Sequence, residues 1–409
     1  MIHNWDKYTL AVLADNGTVL TAGGNPLKWS SIDALAGLAI KHICSQGRVL
    51  AVLTEDNRIL VCIHRQNRLE DITPTVHKVF GRAVDIVSIY VYYPVLVIIA
   101  MDGIGLIHVQ PSEKTSSGLE IMQTSRVLCC FPSEVNLWAV DQRYNWGFVR
   151  TNDNSLHWFG HSSGSEWIMW PTPAKWVEYP VEFDNTANIK ELHSSTNYMY
   201  LLMHDGSVYA KRTPHDKDRQ QRSKCTRFEQ LEISQSIDKI VTTAHDIFFI
   251  TVEGACYHSK VFRSSSMIDI RLLQCLDGCV VENVYALLND YIVQHDGSKL
   301  SILHVSPHRG INEHNQWSFR CETFKGYAKG TIKPIPWPFF DDKPIVSVHN
   351  LTDRAYLITD EGHAYWISDI DESTEPTVTR DVFFDANPIA VKKGMCMIRS
   401  ALMCFHQSS

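Results

Sequence analysis

The stretch Tyr200-Leu-Leu-Met-His-Asp-Gly206-Ser-Val-Tyr209 decides the fold class of this chain. Apolar residues lie on both sides of a short His-Asp-Gly centre. Glycine adopts a positive φ without steric cost, and the tight turn of a β-hairpin needs that conformation. The stretch therefore predicts two short strands joined by a tight turn.

The same pattern occurs eight times along the 409 residues. Each copy has a glycine or an asparagine at its centre: Gly17, Asn57, Gly103, Asn154, Gly206, Gly254, Gly297 and Gly362. Successive centres lie 40 to 65 residues apart. A four-stranded propeller blade takes about 40 to 50 residues. The spacing therefore predicts a repeat protein built from such blades.

Most hairpins are preceded by another short apolar segment, where the innermost strand of a blade is expected. These segments are residues 40–43, 84–88, 189–192, 237–241 and 345–348. A weaker ninth unit follows at 389–405. We predict an all-β fold, a single β-propeller over residues 1–409, with a blade count between seven and nine. There is little room before the first hairpin, so we expect the N- and C-terminal strands to close the ring by sharing a blade.

Composition and charge restrict the function. The chain is 44% hydrophobic and 20% charged, with a net charge of −7, which disfavours general attraction to nucleic acid or to anionic membranes. Its 11 cysteines have no regular spacing, as reduced thiols of an intracellular protein do. Five of them lie in apolar runs and are predicted to be buried: Cys44, Cys62, Cys256, Cys396 and Cys404. We find no signal peptide, and the apolar run 86–101 is too short for a spanning helix. We expect an intracellular protein, cytoplasmic or nuclear.

The phrase of strand, Asp-Gly turn and strand ending in Tyr or Trp resembles the blades of the regulator of chromosome condensation family of propellers. The best copies are residues 149–160, 201–209 and 357–366. The resemblance implies seven blades and, as an alternative function, nucleotide exchange on a small GTPase. The Gln-Leu-Gly that usually follows in that family occurs nowhere in this chain. WD-repeat propellers are an alternative family, but the one Trp-Asp pair at Trp5 is not repeated at the ends of the other predicted blades.

The sequence contains no catalytic signature. It lacks the Gly-x-Ser-x-Gly elbow and the Walker phosphate loop. Acidic residues recur at equivalent hairpin positions, which favours turn chemistry over catalysis; they are Asp15, Asp56, Asp102, Asp205, Asp296 and Asp360. The pairs His157/His161, Cys275/Cys279 and Cys129/Cys130 have no second pair at a zinc-ligand spacing, so we predict no metal site and no cofactor. The chain is therefore predicted not to be an enzyme.

Two segments interrupt the repeat and are the candidate partner-binding regions. The first, 213–227, is a basic loop suited to an acidic protein surface or to phosphate, or else a solvated loop. Its candidate residues are Lys217, Arg219, Arg222, Lys224 and Arg227.

The second segment, 306–343, is rich in proline and aromatic residues. It would present Trp317, Trp337, Phe339 and Phe340 to a protein partner on a stiff backbone, or fold them over a propeller face. We predict a non-catalytic protein-interaction propeller, a scaffold or structural subunit of a larger assembly. The alternative is a regulator or guanine-nucleotide exchange factor of a small GTPase.

Overall fold

The structure of the chain is a computed structural model. It describes residues 2–6, 9–14, 17–23, 28–46, 49–63, 69–92, 94–111, 119–141, 146–161, 176–195, 198–212, 227–243, 246–260, 270–287, 290–297, 299–305, 330–335, 344–350, 355–368, 377–386 and 388–389. Across these ranges the structure is almost entirely β. None of the helices in them has both the length and the apolar character needed to cross a membrane.

The strands in these ranges group into eight antiparallel sheets, here called blades 1 to 8 in chain order. Blade 1 contains β1 (Ile2–Asp6), β2 (Thr9–Leu13), β3 (Val19–Gly23) and β4 (Lys28–Ser31). Blade 2 contains β5 (Ile40–Gln46), β6 (Val49–Thr54), β7 (Ile59–Ile63) and β8 (Leu69–Asp71). Blade 3 contains β9 (Ile86–Tyr92), β10 (Val95–Ala100) and β11 (Gly103–Pro111), and β11 pairs with both β12 (Leu119–Ile121) and β13 (Arg126–Cys130). Blade 4 contains β14 (Val135–Asp141), β15 (Trp146–Thr151), β16 (Leu156–His161) and β17 (Trp176–Val181).

The second half of the chain repeats the arrangement. Blade 5 contains β18 (Ile189–Ser194), β19 (Tyr198–Met203), β20 (Val208–Arg212) and β21 (Glu229–Gln230). Blade 6 contains β22 (Ile237–Thr242), β23 (Asp246–Thr251), β24 (Cys256–Lys260) and β25 (Ile270–Leu272). Blade 7 contains β26 (Val281–Leu287), β27 (Asp290–His295), β28 (Lys299–Val305) and β29 (Gly330–Pro334). Blade 8 contains β30 (Ile345–Asn350), β31 (Ala355–Thr359), β32 (Ala364–Ser368) and β33 (Thr377–Arg380).

Helices are few and short in the described residues. The α-helices are α1 (Thr73–Phe80), between blades 2 and 3, and α2 (Phe383–Ala386), after blade 8. Single 3₁₀ turns lie at Asp33–Leu35, Thr186–Asn188 and Gln274–Leu276. All three 3₁₀ turns lie in connections from one blade to the next, so the blades themselves are purely β.

The second strand of most blades is apolar on both faces. All six residues of β6, of β10 and of β19 are buried. A strand with both faces covered has no reason to alternate apolar and polar residues, as parallel sheets buried on both faces also show. Neighbouring blades cover these strands, which explains why the sequence has continuous apolar runs there.

The cores between blades form a closed series. Among the described residues there are eight apolar cores, and each joins two neighbouring blades. Seven of them join blades that are consecutive in the chain. The eighth packs Ala14 and Leu20 of blade 1 against Tyr356 and Ile358 of blade 8. Eight sheets linked by eight cores form a ring, which is the architecture of a β-propeller.

Lysines of three inner strands also connect consecutive blades. The Nζ of Lys41 donates to the carbonyl oxygen of Ile86 at 3.0 Å. The Nζ of Lys190 reaches the carbonyl of Asp238 at 2.9 Å, and that of Lys239 reaches the carbonyl of Glu282 at 2.8 Å. These charged hydrogen bonds cross the blade boundary between inner strands, near the centre of the ring.

Within the described residues, the blade count falls inside the predicted range of seven to nine. The described residues form eight blades, which match the eight hairpins counted and not the seven blades that the family resemblance favoured. β1 supplies an inner strand before the first hairpin. In the described part of the chain, blades 1 and 8 meet through side chains and one isolated bridge between Ala14 and Ile389. Residues 390–409 lie outside the described ranges, so the sharing of a blade by the N- and C-terminal strands stays a prediction.

The hairpin turns confirm seven of the eight predicted centres. Gly17, Asn57, Asn154, Gly206, Gly254, Gly297 and Gly362 all have a positive φ. The prediction is wrong at Gly103, which begins β11 and pairs with Ala100 across a two-residue turn. Glycine is needed there because a Cβ would lie 2.7 Å from the carbonyl oxygen of Cys129.

Candidate functional site

Two kinds of chain segment lie at the same end of the ring: the turn between the second and third strands of each blade, and the connection from one blade to the next. Each blade is an antiparallel meander, so the turn between its second and third strands lies at the end where its fourth strand finishes. The chain then enters the next blade from that same end. We call this end the turn face. It carries the described residues of the eight predicted hairpin turns and of the connections between blades.

The turn face is strongly acidic. Its described turns and connections contain 18 aspartates and glutamates and three basic residues, Arg58, Lys78 and Arg82. The acids of the turns are Glu55, Asp56, Asp102, Asp153, Asp205, Glu253, Asp296, Asp360 and Glu361. The acids of the connections are Asp33, Asp85, Glu134, Glu182, Asp184, Glu232, Asp277, Asp381 and Asp385. All but Asp102 and Asp381 are exposed, so this face carries far more negative charge than the net −7 of the whole chain suggests.

A cleft of about 520 Å³ opens on the turn face between blades 2 and 3. It is lined by the two hairpin turns, by α1 and the residues after it, and by Glu134 from the connection to blade 4. A volume of this size falls in the range of about 300 to 1,000 Å³ that ligand sites occupy. The cleft can therefore hold several side chains of a partner.

The charges in the cleft leave a net negative site. Arg82 donates from Nη2 to the carboxylate of Asp102, and the Nε of Arg58 donates to Asp56 at 2.8 Å. Both arginines are thus paired with acids of the same cleft. Asp85, which is exposed, and Glu134 remain in excess, and a Lys or Arg side chain entering the cleft would compensate their charge.

α1 forms one wall of the cleft, and the local sequence explains where it starts and stops. The Oδ1 of Asp71 accepts from the Thr73 amide at 2.9 Å, and Pro74 occupies the first turn, where no amide donor is needed. Gly81 ends the helix in the left-handed conformation with φ +73°. The Nε2 of His77, on this helix, is buried and has no hydrogen-bond partner within the described residues.

An asparagine connects the two sides of the cleft. Asn57 lies at the blade 2 turn with φ +68°. Its Nδ2 donates to the carbonyl of Val84 at 2.7 Å, and its Oδ1 accepts from the amide of Ile86 at 2.9 Å. The turn of blade 2 is thereby fixed to the start of blade 3, which keeps the cleft in shape.

Two of the recurring turn acids behave as the sequence predicts. Asp205 accepts from both the amide and the hydroxyl of Ser207, and these bonds lower the pKa of its carboxyl group. Asp56 accepts from the Thr54 hydroxyl, which lowers the pKa of Asp56 likewise. Their carboxylates stabilise turns. Asp15 lies outside the described residues.

The partner-binding residues predicted from sequence lie almost entirely outside the described ranges. These are Lys217, Arg219, Arg222, Lys224, Trp317, Trp337, Phe339 and Phe340. Arg227 is described, and it is exposed just before β21. The ends of β20 and β21 that flank 213–226 lie on the face opposite the turn face. The structure thus adds a candidate surface that the sequence reading missed.

The predicted buried thiols are confirmed where the structure describes them. Cys44, Cys62 and Cys256 are buried, and burial raises the pKa of the Cys62 thiol to about 11. The cysteines of the described ranges are free of disulfide bonds. Cys396 and Cys404 lie outside those ranges.

A buried polar network joins blades 6 and 7 near the opposite face. The Oδ1 of Asp246 lies 2.6 Å from the Nε2 of His258, and its Oδ2 accepts from the hydroxyl of Tyr291. Burial, and next the charge of Asp246, raises the pKa of Tyr291 well above its ordinary value. The three side chains are enclosed between two blades, so they fit a structural role better than a catalytic one.

Comparison with known proteins adds solved structures but no family. No family model matches the chain, and no curated protein matches it. PorZ, a surface component of the type-IX secretion system of Porphyromonas gingivalis, is 13% identical, with a TM-score of 0.42; the match covers 93% of this chain and 44% of that one. Yeast RCC1 (Prp20), solved with Kap60, is 12% identical over 80% of this chain and 70% of that one, with a TM-score of 0.42. BamB from Moraxella catarrhalis is 11% identical, with a TM-score of 0.46; the match covers 91% of this chain and 95% of that one.

These structures include several propellers, of which RCC1 is one. The chain's own eight sheets and eight cores establish the fold. The chain spans less than half the length of PorZ.

Proposed function

We propose that this chain is a non-catalytic protein-interaction propeller that binds a basic segment of a partner protein on its turn face. The observation that carries the proposal is the excess of exposed carboxylates on that face, 16 of the 18 described there. A surface of one charge sign attracts a partner of the opposite sign and speeds its association. A rigid ring of blades holds that surface fixed, so little order has to be gained on binding.

The cleft between blades 2 and 3 is the proposed centre of this surface. It has the depth to accept a Lys or Arg side chain, and Asp85 and Glu134 supply the compensating charges. Met101 lies in the same lining and offers an apolar contact to the stem of such a side chain. The partner-binding role predicted for 213–227 and 306–343 stays a prediction beside this one.

The test is capture of partners with matched charge variants. The tagged chain, the double variant Asp85→Lys/Glu134→Lys and the control Glu229→Lys are each used to purify complexes from native cells. Glu229 is an exposed acid on the outer strand β21, away from the cleft. Cross-linking and mass spectrometry then map the contact residues of any stoichiometric partner.

We expect a partner that is lost from the double variant, kept by the control, and cross-linked through its lysines to turn-face carboxylates. The complex should also weaken as salt rises, because exposed charges are screened. A stable partner that binds the double variant equally well and cross-links only elsewhere would refute the turn-face site.

A second candidate function is regulation of a small GTPase. It is supported by the acidic face, because such a face suits a basic GTPase surface, and by the family resemblance of the blade motif. A captured GTPase would be loaded with a fluorescent guanine nucleotide, and its release rate measured with and without the chain. Faster release, abolished in the double variant, supports exchange activity; binding without faster release leaves only the interaction role.

A further inference from the structure

Cys279, His295 and Asp296 come together on the turn face of blade 7. One ligand atom from each lies within 4.8 Å of the other two. The 3₁₀ turn Gln274–Leu276 and Gly278, with φ +81°, bring the connection from blade 6 back to the turn of blade 7. The 16-residue separation of Cys279 from His295 hides this arrangement in the sequence.

The carboxylate of Asp296 is held in place by the backbone. Its Oδ1 accepts from the amide of Val280 at 2.9 Å, and its own amide donates to the Val280 carbonyl at 3.0 Å. The next amide, of Gly297, donates to Glu282 at 2.6 Å. Asp296 has φ +48°, a conformation that non-glycine residues adopt rarely. The turn therefore holds this side chain in one orientation.

His295 is also fixed by a hydrogen bond on its other ring nitrogen. Its Nε2 lies 2.9 Å from the Oγ of Ser301, and both residues are buried. Its Nδ1 faces Asp296 Oδ2 at 3.1 Å. In the tautomer that donates from Nε2 to Ser301, the lone pair of Nδ1 is free to bind a metal, and an outer hydrogen bond of this kind orients a metal-binding imidazole ring.

We propose that Cys279, His295 and Asp296 form a zinc-binding site. Thiolate, imidazole and carboxylate are all ligands of zinc, and zinc is bound tetrahedrally. Zinc bond lengths of about 2.0 to 2.3 Å place neighbouring ligand atoms roughly 3.3 to 3.6 Å apart. The His295–Asp296 pair is already near that distance, and a rotation of the partly exposed Cys279 side chain closes the rest. Water would take the fourth position.

The same three residue types also occur in thiol-nucleophile triads, but the contacts differ. In a triad one imidazole nitrogen faces the thiol and the other faces the carboxylate. Here the two nitrogens of His295 face Asp296 and Ser301.

Lys299 is the competing cation. Its Nζ lies 3.7 Å from Asp296 Oδ2, and its side chain is 70% exposed. An exposed lysine that makes one long contact can turn into solvent at little cost. Zinc would therefore displace it without disturbing the buried part of the site.

The test uses the purified full chain, freed of metal by a chelator under reducing conditions and titrated with Co²⁺. Cobalt in a thiolate site gives a sulfur-to-metal charge-transfer band, which zinc then abolishes. We expect the band in the wild-type chain at one metal per chain, its loss in Cys279→Ser, and its retention in Cys130→Ser. Cys130 is an exposed cysteine of blade 3 and serves as the matched control. Ser301→Ala should weaken zinc binding about 10- to 100-fold, as loss of an outer hydrogen bond to a ligand does.

Alkylation with iodoacetamide gives a second readout at the residue itself. Zinc should protect Cys279 from alkylation and leave Cys130 unprotected, as measured by mass spectrometry. Absence of the band in the wild-type chain, an unchanged band in Cys279→Ser, or equal alkylation of Cys279 with and without zinc would each overturn the proposal. Thermal unfolding of every variant shows whether the fold is retained.

Discussion

Replacement of Gly362 by alanine should weaken the junction between the last and the first blade. Gly362 lies at the hairpin turn of blade 8 with φ +82°. A Cβ built on it would lie 2.4 Å from the carbonyl oxygen and 2.8 Å from the amide nitrogen of Ile389. Ile389 is part of the core that joins blade 8 to blade 1, and its amide donates to Gly362 at 2.8 Å. The added methyl group would therefore clash with a residue of the core that joins blade 8 to blade 1.

Two costs add at this position. An L-residue in the left-handed conformation costs about 1 to 2 kcal/mol. The clash with the backbone of Ile389 requires a shift of the kind that overpacking causes, about 1 to 3 kcal/mol. Gly362→Ala should thus destabilise the protein by about 2 to 5 kcal/mol.

Gly17→Ala is the matched control. Gly17 lies at the equivalent turn of blade 1 with the same φ of +82°, but its Cβ would meet only the Leu38 carbonyl at 3.7 Å, an ordinary contact. It should therefore cost only the conformational part, about 1 to 2 kcal/mol.

Thermal unfolding followed by circular dichroism measures both variants. With an unfolding entropy of about 2.1 cal/mol/K per residue, each kcal/mol shifts the midpoint of this chain by roughly 1.2 °C. We expect a fall of about 2 to 6 °C for Gly362→Ala and about 1 to 2.5 °C for Gly17→Ala. Equal shifts for the two variants would show that Ile389 does not press on this turn, and would refute the reasoning.

Three further changes test other parts of the fold. Tyr291→Phe removes a hydrogen bond to the buried carboxylate of Asp246 and should cost about 1.5 to 3 kcal/mol in urea unfolding; an unchanged midpoint would contradict the buried network. Asn57→Gly keeps the positive φ but removes two hydrogen bonds to blade 3, so we expect a loss of about 1 to 3 kcal/mol in the same assay, and a neutral effect would mean that the amide does not connect the blades. The folded-state pKa of Asp205 is lowered by Ser207, so its contribution is present above the unfolded-state pKa of about 3.9 and is lost as pH falls through the folded-state value. Asp205→Asn should therefore reduce the fall of the thermal midpoint on acidification, and identical acid slopes for variant and wild type would count against this.

The repeat could be predicted from sequence because the hairpin of each blade has its own local sequence pattern. The turn residues need a positive φ, which restricts them to glycine and asparagine in most copies, and the second strands are apolar without interruption. The apolar run 86–101, too short for a spanning helix, forms the strands β9 and β10. The predicted inner strand 237–241 is likewise found as β22.

What the sequence did not reveal depends on contacts between distant segments. α1 is only eight residues long and follows from its flanking Asp71 and Gly81, a signal too short to stand out in a strand-rich chain. The acids of the connections were not recognised as one surface, because only the strand order places them beside the turn acids. The cluster of Cys279 with His295 requires the connection from blade 6 to meet the hairpin turn of blade 7, and spacing alone gave no hint of it.

The bridge between Ala14 and Ile389 closes a much longer loop of chain than the other contacts between blades, and this affects how the ring can fold. Every other blade contact joins segments within one or two repeats, whereas this one joins residues about 375 positions apart. Closing a loop of that length costs roughly 2 kcal/mol more in chain entropy than closing one of about 45 residues. We therefore expect seven interfaces to form locally and early, so that an open arc of blades with two uncovered apolar sides precedes the closed ring. Closure of the ring would cover both sides at once, and until then the arc would be the species most prone to aggregate.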